Sequence, residues 1–186
     1  MERYERYYKS LFTVALAINS SLELKEVMQT VIQQAAESME VRGSSIRLKD
    51  RTGKRLLQGS SYGLSQQYMR KGPVDVEKSG VDREALTGKS VYIADVTTDD
   101  RFQYKEQAKE EGIVSLLVLP LKVQDDVIGV LRFYADKPKE FDQEEREFAR
   151  SVAALSAVAL ENARLYQALK REYETSQSFE YRIFED

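Results

Sequence analysis

A chain of 186 residues, 42% of them hydrophobic, is long enough to bury one core and is read as a single domain. Its 28 basic and 31 acidic side chains leave a net charge of −3, too small for a nucleic-acid surface or a polyanionic tail. It has no cysteine and no histidine, which excludes disulfides, thiolate catalysis, iron–sulfur clusters and the usual zinc and proximal-histidine haem sites.

Only an oxygen-ligated Mg²⁺ or Ca²⁺ would suit the remaining side chains, and no cofactor is expected. No apolar run is long enough to span a bilayer and no signal peptide opens the chain, so a cytoplasmic location is expected. The first helix is predicted over Arg3 to Ile18, with Tyr4, Tyr8, Leu11, Ala15 and Ile18 at heptad spacing. Ser20 with Glu23 fits a capping box, which predicts that a second helix starts there. Leu24, Val27, Met28, Val31, Ala35 and Met39 share one face of that helix.

Residues 45 to 49 alternate as a strand, with Ile46 and Leu48 on one side and Arg47 on the other. A turn at Asp50 to Gly53 returns an antiparallel partner from Lys54 to Tyr62, and a short helix follows to Met69. The stretch Lys71 to Lys78 reads as irregular. Ser79 with Asp82 fits another capping box, opening a short helix that Gly88 closes. Val91 to Ile93 is a brief strand, and Tyr104 to Glu111 a short helix ended by Gly112.

Ile113 to Val123 is almost continuously apolar, as a strand covered on both faces should be. Gln124 to Asp126 turns the chain into a partner strand from Val127 to Ala135. The final helix is predicted from Gln143 to at least Tyr173, with Phe148, Val152, Leu155, Ala159, Asn162, Tyr166, Leu169 and Tyr173 in a four–three rhythm. Val158 and Leu165 widen the stripe toward packing on the sheet. The tail 175–186 carries Phe179, Tyr181, Ile183 and Phe184, which suggests docking.

Three segments in this order resemble the GAF domain, a small-molecule-sensing module of signalling proteins. They are GKSVYIADVTTDDRF, GIVSLLVLPLKVQDDVIGVLRFY and FDQEEREFARSVAALSAVALENARLY. The resemblance covers about Leu11 to Leu169. It implies an α+β, profilin-like fold: a central antiparallel sheet of five or six strands, the terminal helices on one face and a loop-covered pocket on the other. The expected division is a helix over 1–20, the GAF-like domain over 21–170 and a helical extension over 171–186.

Within that resemblance, the ligand-site candidates are Arg47, Tyr62, Gly80, Tyr92, Asp95, Phe102, Tyr104 and Arg132. Arg47, Arg132 and the amides at Gly80 would meet an anion; the alternative places both arginines on a solvent-facing side. The tyrosines and Phe102 would wall a pocket for a planar ligand or simply pack the loops. Asp95, Asp99 and Asp100 would bind a hydroxyl or cation, or cap turns. A cyclic-nucleotide signature of the family is matched only in part, at Lys137, Phe141 and Glu145, so a structural Lys137–Glu144 contact is preferred there.

The resemblance further implies a regulatory domain, not an enzyme. The family's reductase of free methionine sulfoxide works through cysteines, which this chain lacks. Expected partners are an unidentified small molecule, a second copy of the chain and a downstream kinase, cyclase or transcription-activator domain. The dimer seam would use Tyr8, Leu11, Val152, Leu155, Ala159, Asn162, Tyr166 and Leu169, in a four-helix bundle from two chains. A ligand-free dimerisation scaffold is the alternative.

Overall fold

The computed structural model describes residues 1–20 and 23–183, with 176–183 described by backbone alone. The element order is α1 (Glu2–Ser20), α2 (Leu24–Ser38), β1 (Gly43–Lys49), β2 (Arg55–Tyr62), α3 (Gln66–Met69), β3 (Val74–Asp75), α4 (Gly80–Ala85), β4 (Val91–Ile93), α5 (Lys105–Glu111), β5 (Ser115–Val123), β6 (Asp126–Ala135) and α6 (Gln143–Ile183). The sheet runs β3-β2-β1-β6-β5-β4, antiparallel throughout. Its two edges are short strands, which limits open edge for unwanted pairing.

Alternation along the central strands sorts side chains between two cores. On one face Ile46, Leu117, Leu119, Leu121, Leu131 and Phe133 pack against α1, α2 and α6. On the other, Val118, Leu116, Val130 and Tyr134 pack against the short helices and loops. β5 is buried on both faces over most of its length, which is why its sequence is almost continuously apolar. Tyr7 of α1 stacks on Phe148 of α6 with ring centroids 4.2 Å apart. Arg3 reaches Asp142 at 2.6 Å and also Glu144, tying the two helix starts together.

Gly63 is required where β2 ends. Its φ is +70°, and a Cβ there would sit 2.1 Å from the Arg42 carbonyl oxygen. No L side chain satisfies both conditions.

Several expectations need correction. Ser20 ends α1, with its hydroxyl donating to the Ala17 carbonyl, and α2 is entered at Glu23 without a side-chain cap. The capping box lies instead at α6: the Asp142 carboxylate accepts from the Glu145 amide at 2.9 Å, and Glu145 accepts from the Asp142 amide at 3.0 Å. The hairpin is pinned to α6 by Lys139 and Glu145 at 2.7 Å, while Glu144 is taken by Arg3 and Tyr4. The segment after Met69 is not wholly irregular, since β3 pairs Val74 with Leu56. Helix α6 continues to Ile183, and the expected docking through the side chains of Phe179, Tyr181, Ile183 and Phe184 lies outside what is described.

The helical seams also shift. Val152 and Ala159 are buried in the chain's own core, and Leu11, Ile18 and Leu155 pack partly against it. The exposed apolar side chains are Tyr4, Tyr8, Phe12 and Leu16 on α1 and Val158, Leu165, Tyr166, Leu169 and Tyr173 on α6. Val158 and Leu165 therefore face away from the sheet, contrary to the packing expected of them. The four-residue spacing on α1 wins because Tyr7, Ser10 and Val14 turn inward.

Candidate functional site

Arg47 and Arg132 project from β1 and β6 onto the sheet face opposite the long helices. Arg47 pairs with Val130, and Arg132 lies two residues further along β6, opposite Ser45. The arginines are thus diagonal neighbours on one face, with Cα atoms roughly 7–8 Å apart by sheet geometry. Arg47 is 0% exposed and Arg132 1%. Two guanidinium groups are enclosed side by side between the sheet and the short helices.

Their partners differ. Arg132 Nη2 forms an ion pair with Asp82 of α4, itself 0% exposed. Ser79 Oγ donates to the same carboxylate. Ser79 is the N-cap of α4 as its sequence suggests, but its side chain serves Asp82 and makes no bond to the helix backbone. Arg47 has no hydrogen-bond partner on Nε, Nη1 or Nη2 among the described residues. Arg132 Nε, Tyr68 Oη and Asp82 Oδ1 are also buried without one.

Two tyrosines complete the enclosure. Tyr134 Oη hydrogen-bonds Ser45 Oγ at 2.9 Å, and its ring meets Tyr68 edge-on at 6.1 Å. Tyr68 also lines a cavity of about 250 Å³ with Arg42, Ser65 and Glu111, so it stands between that cavity and the arginines' neighbourhood. Lys71 closes the same side. Its ammonium lies 3.1 Å from the Tyr68 ring centroid and donates to the Tyr68 carbonyl at 3.1 Å.

The electrostatics follow from burial. Desolvation, with Arg132 beside it, lowers the pKa of Arg47. Burial also works against the charge on Arg132, but Asp82 overcomes it and raises that pKa. Desolvation, with both arginines adding repulsion, pushes Lys71 down to about 6. Burial, with Tyr134 adjacent, raises the Tyr68 phenol. Perturbed groups gathered in one enclosure mark a functional-site candidate.

The other sequence candidates divide. Phe102 is buried in the core on the arginines' side, and Tyr104 packs against that core with its hydroxyl donating to the Pro73 carbonyl at 2.7 Å. Gly80 begins α4, a helix too short to offer a terminus as a site; α4 contributes Asp82 instead. Tyr62 and Tyr92 lie on the opposite face, which corrects their expected place. Tyr62 donates to Glu37 of α2 at 2.8 Å, and Tyr92 meets Phe141 edge-on at 6.0 Å. A bulge between Ser45 and Arg47 in the β1–β2 pairing changes the face on which β2 residues fall.

Asp95 accepts from the Thr97 amide at 2.8 Å and from its hydroxyl at 2.7 Å, a turn-capping role. Asp99 pairs with Arg101 and Asp100 with Lys105. Among the described residues no acidic cluster is placed to hold a metal ion. The residues that the sequence reading passed over are Ser45, Tyr68, Lys71, Asp82 and Tyr134. Asp82 had a signal, read as helix capping; Lys71 sat in a stretch with no periodicity.

Comparison with known proteins places this geometry. The GAF domain family model matches residues 21–161. The chain is 28% identical over 158 residues to the methyl sulfide methyltransferase-associated sensor of Methanosarcina acetivorans, covering 82% of this chain and 16% of that protein. It is 24% identical over 169 residues to the formate hydrogenlyase transcriptional activator FhlA of Escherichia coli, covering 88% and 24%. It thus spans less than a quarter of the length of these curated relatives. Among solved structures, the GAF domain of a phosphoenolpyruvate-protein phosphotransferase from Coxiella burnetii superposes with a TM-score of 0.78 at 18% identity, covering 88% of this chain and 98% of that one. The free methionine-R-sulfoxide reductase of Neisseria meningitidis has a TM-score of 0.70 at 17% identity, covering 86% and 91%. Both show the shared fold.

Proposed function

The chain belongs to the GAF domain family, and from that premise we propose that it is a regulatory sensor domain. It binds a small molecule non-covalently on the Arg47–Arg132 face and signals through α1 and α6 of a homodimer. The observation that carries the ligand site is Arg47: a fully buried guanidinium with three nitrogens unpartnered among the described residues. An unpaired buried charge costs several kcal/mol unless something compensates it, and a ligand does so. The printed names of two relatives, a sensor and a transcriptional activator, support the regulatory reading.

The output rests on the helices. Residues 1–20 and 171–186 flank the sensing domain, 21–170. Exposed Tyr4, Tyr8, Phe12 and Leu16, with Leu165, Tyr166, Leu169 and Tyr173, offer a seam for a second copy. Asn162 is exposed at that seam, where a polar side chain sets register. A kinase, cyclase or transcription-activator domain downstream would read the helices. No helix among the described residues is long and apolar enough to cross a membrane. An enzyme is disfavoured because the chain has neither cysteine nor histidine.

A ligand-free dimerisation scaffold is the competing reading, and the exposed stripes alone would suffice for it. A thermal-shift panel of small metabolites separates the two. The sensor reading expects at least one saturable rise in Tm; a silent panel with an intact dimer favours the scaffold.

A further inference from the structure

We propose that the molecule bound on this face is a compact oxyanion, a carboxylate or phosphate gripped by the Arg47 guanidinium and by Nε of Arg132. The proposal rests on the sensor reading and names its ligand class.

Charge is the first argument. Arg47 and Arg132 are both enclosed, and the single carboxylate of Asp82, paired with Arg132 through one oxygen, balances one of the two charges. A guanidinium does not shed its proton as a buried lysine does, so the face keeps an unbalanced positive charge. Lys71 adjoins the same group, and burial first, then both arginines, work against its charge. A cationic ligand would add to that repulsion. A neutral one would leave Arg47 uncompensated.

Donor geometry is the second. Arg47 offers Nε, Nη1 and Nη2, and Arg132 offers Nε. A guanidinium edge matches two oxygens of one carboxylate or phosphate, giving a bidentate pair. Tyr68 Oη, buried and unpartnered, adds a hydroxyl donor. Donors therefore outnumber acceptors here: four guanidinium nitrogens stand unpartnered among the described residues, against Asp82 Oδ1 and the Tyr68 hydroxyl, which both donates and accepts.

Enclosure limits size. Arg47, Arg132, Tyr68 and Tyr134 are each at most 2% exposed, and Leu56, Val81, Val118 and Val130 around them are fully buried. Burial this complete favours a small anion, since a purine nucleotide would need the loops to open. The family's cyclic-nucleotide signature, which the chain matches only in part, departs at Asp136 and Glu144.

The test uses the full chain in Tris chloride, with isothermal titration and thermal shift. The probes are acetate, oxalate, malonate and inorganic phosphate, with acetamide and malonamide as neutral counterparts. The expected result is saturable binding of at least one anion and none of the amides; whether a carboxylate or phosphate binds distinguishes the two sources. Arg47→Met removes the unpaired charge. It should be at least as stable as the wild type without anion, yet lose the anion-induced rise in Tm and bind at least tenfold more weakly. If Arg47→Met does not fold, Arg47→Lys carries the test. It keeps the charge but not the fork, and should weaken anion binding about tenfold or more.

Equal stabilisation of wild type and Arg47 variant by the anions would overturn the assignment. If the anions are silent while neutral metabolites from the wider panel bind, the oxyanion inference falls and the sensor reading stands. If nothing binds, both fall.

Discussion

Replacing Asp82 with asparagine tests the charge account of the enclosed face. The shape is kept and the charge removed, so Arg132 stays buried without its counter-ion. Both side chains are almost fully enclosed, with 2% and 1% side-chain exposure, so solvent offers little rescue. Breaking a buried pair in this way costs about 3–5 kcal/mol. Total stability of such domains is about 5–15 kcal/mol, so the loss would be a large fraction. At about 2–4 °C per kcal/mol for chains of this size, Tm should fall by roughly 6–20 °C. Urea unfolding followed by circular dichroism would show a lower midpoint with an unchanged slope. Removing both charges in Asp82→Leu with Arg132→Met should recover most of the loss, since an apolar pair replaces a buried ion pair at little cost. A loss below about 1 kcal/mol in Asp82→Asn would show that Arg132 does not depend on Asp82. The surplus positive charge assigned to this face would then be wrong.

Lys71 makes stability depend on pH. Its pKa is about 6 in the folded chain against an ordinary 10.5, so the unfolded chain binds more protons between those values and stability rises with pH across that window. The groups facing it are the Tyr68 and Tyr104 rings, Arg47 and Arg132, which repel the ammonium, and Asp82 and Glu111, which favour it. Urea midpoints from pH 6 to 9 should climb for the wild type and flatten in Lys71→Met; equal slopes would refute this. Gly63→Ala should cost at least about 2 kcal/mol, because its backbone is left-handed and its Cβ would strike the Arg42 carbonyl. A variant as stable as the wild type in urea would contradict that contact. If the chain forms the proposed homodimer, Leu165→Glu should convert it to monomer in sedimentation equilibrium without lowering monomer stability, since the side chain is exposed in the single chain. A dimer unaffected by it would move the seam elsewhere.

Much of the architecture was legible because period and punctuation agree. The two-residue alternation around Ile46 and Leu48 marks β1, and the nearly continuous apolar run of β5, bounded by turn residues, marks a strand covered on both faces. Gly112 closes α5 in the left-handed conformation, as its position suggests. Of the candidate site, the sequence placed Arg47 and Arg132 on strands but left open whether they face solvent, and Phe102 and Tyr104 lie on the arginines' side. Tyr62 and Tyr92 were misplaced because sequence does not reveal the bulge in the β1–β2 pairing or which side of a short edge strand faces the helices. Asp82 was hidden by an ambiguity of chemistry: an acidic residue three positions after a serine looks the same whether it caps a helix or neutralises an arginine from a distant strand. The helical seams were mis-drawn because one stripe of α6 serves both the sheet and the outside, and only packing decides where one ends. Val152 and Ala159 went inward, and Leu165 and Leu169 did not.

In the proposed signalling path, occupancy at Arg47 reaches α6. With no native cysteine, Glu174→Cys places a single spin label on each chain, at an exposed position of that helix. Electron–electron resonance distances between the labels of a homodimer should then be recorded with and without the compound that raises wild-type Tm most. The account predicts that the distance distribution shifts on saturation in the labelled wild-type background and stays fixed when Arg47→Met is added. A compound that binds at saturation yet leaves the wild-type distribution unchanged would contradict it.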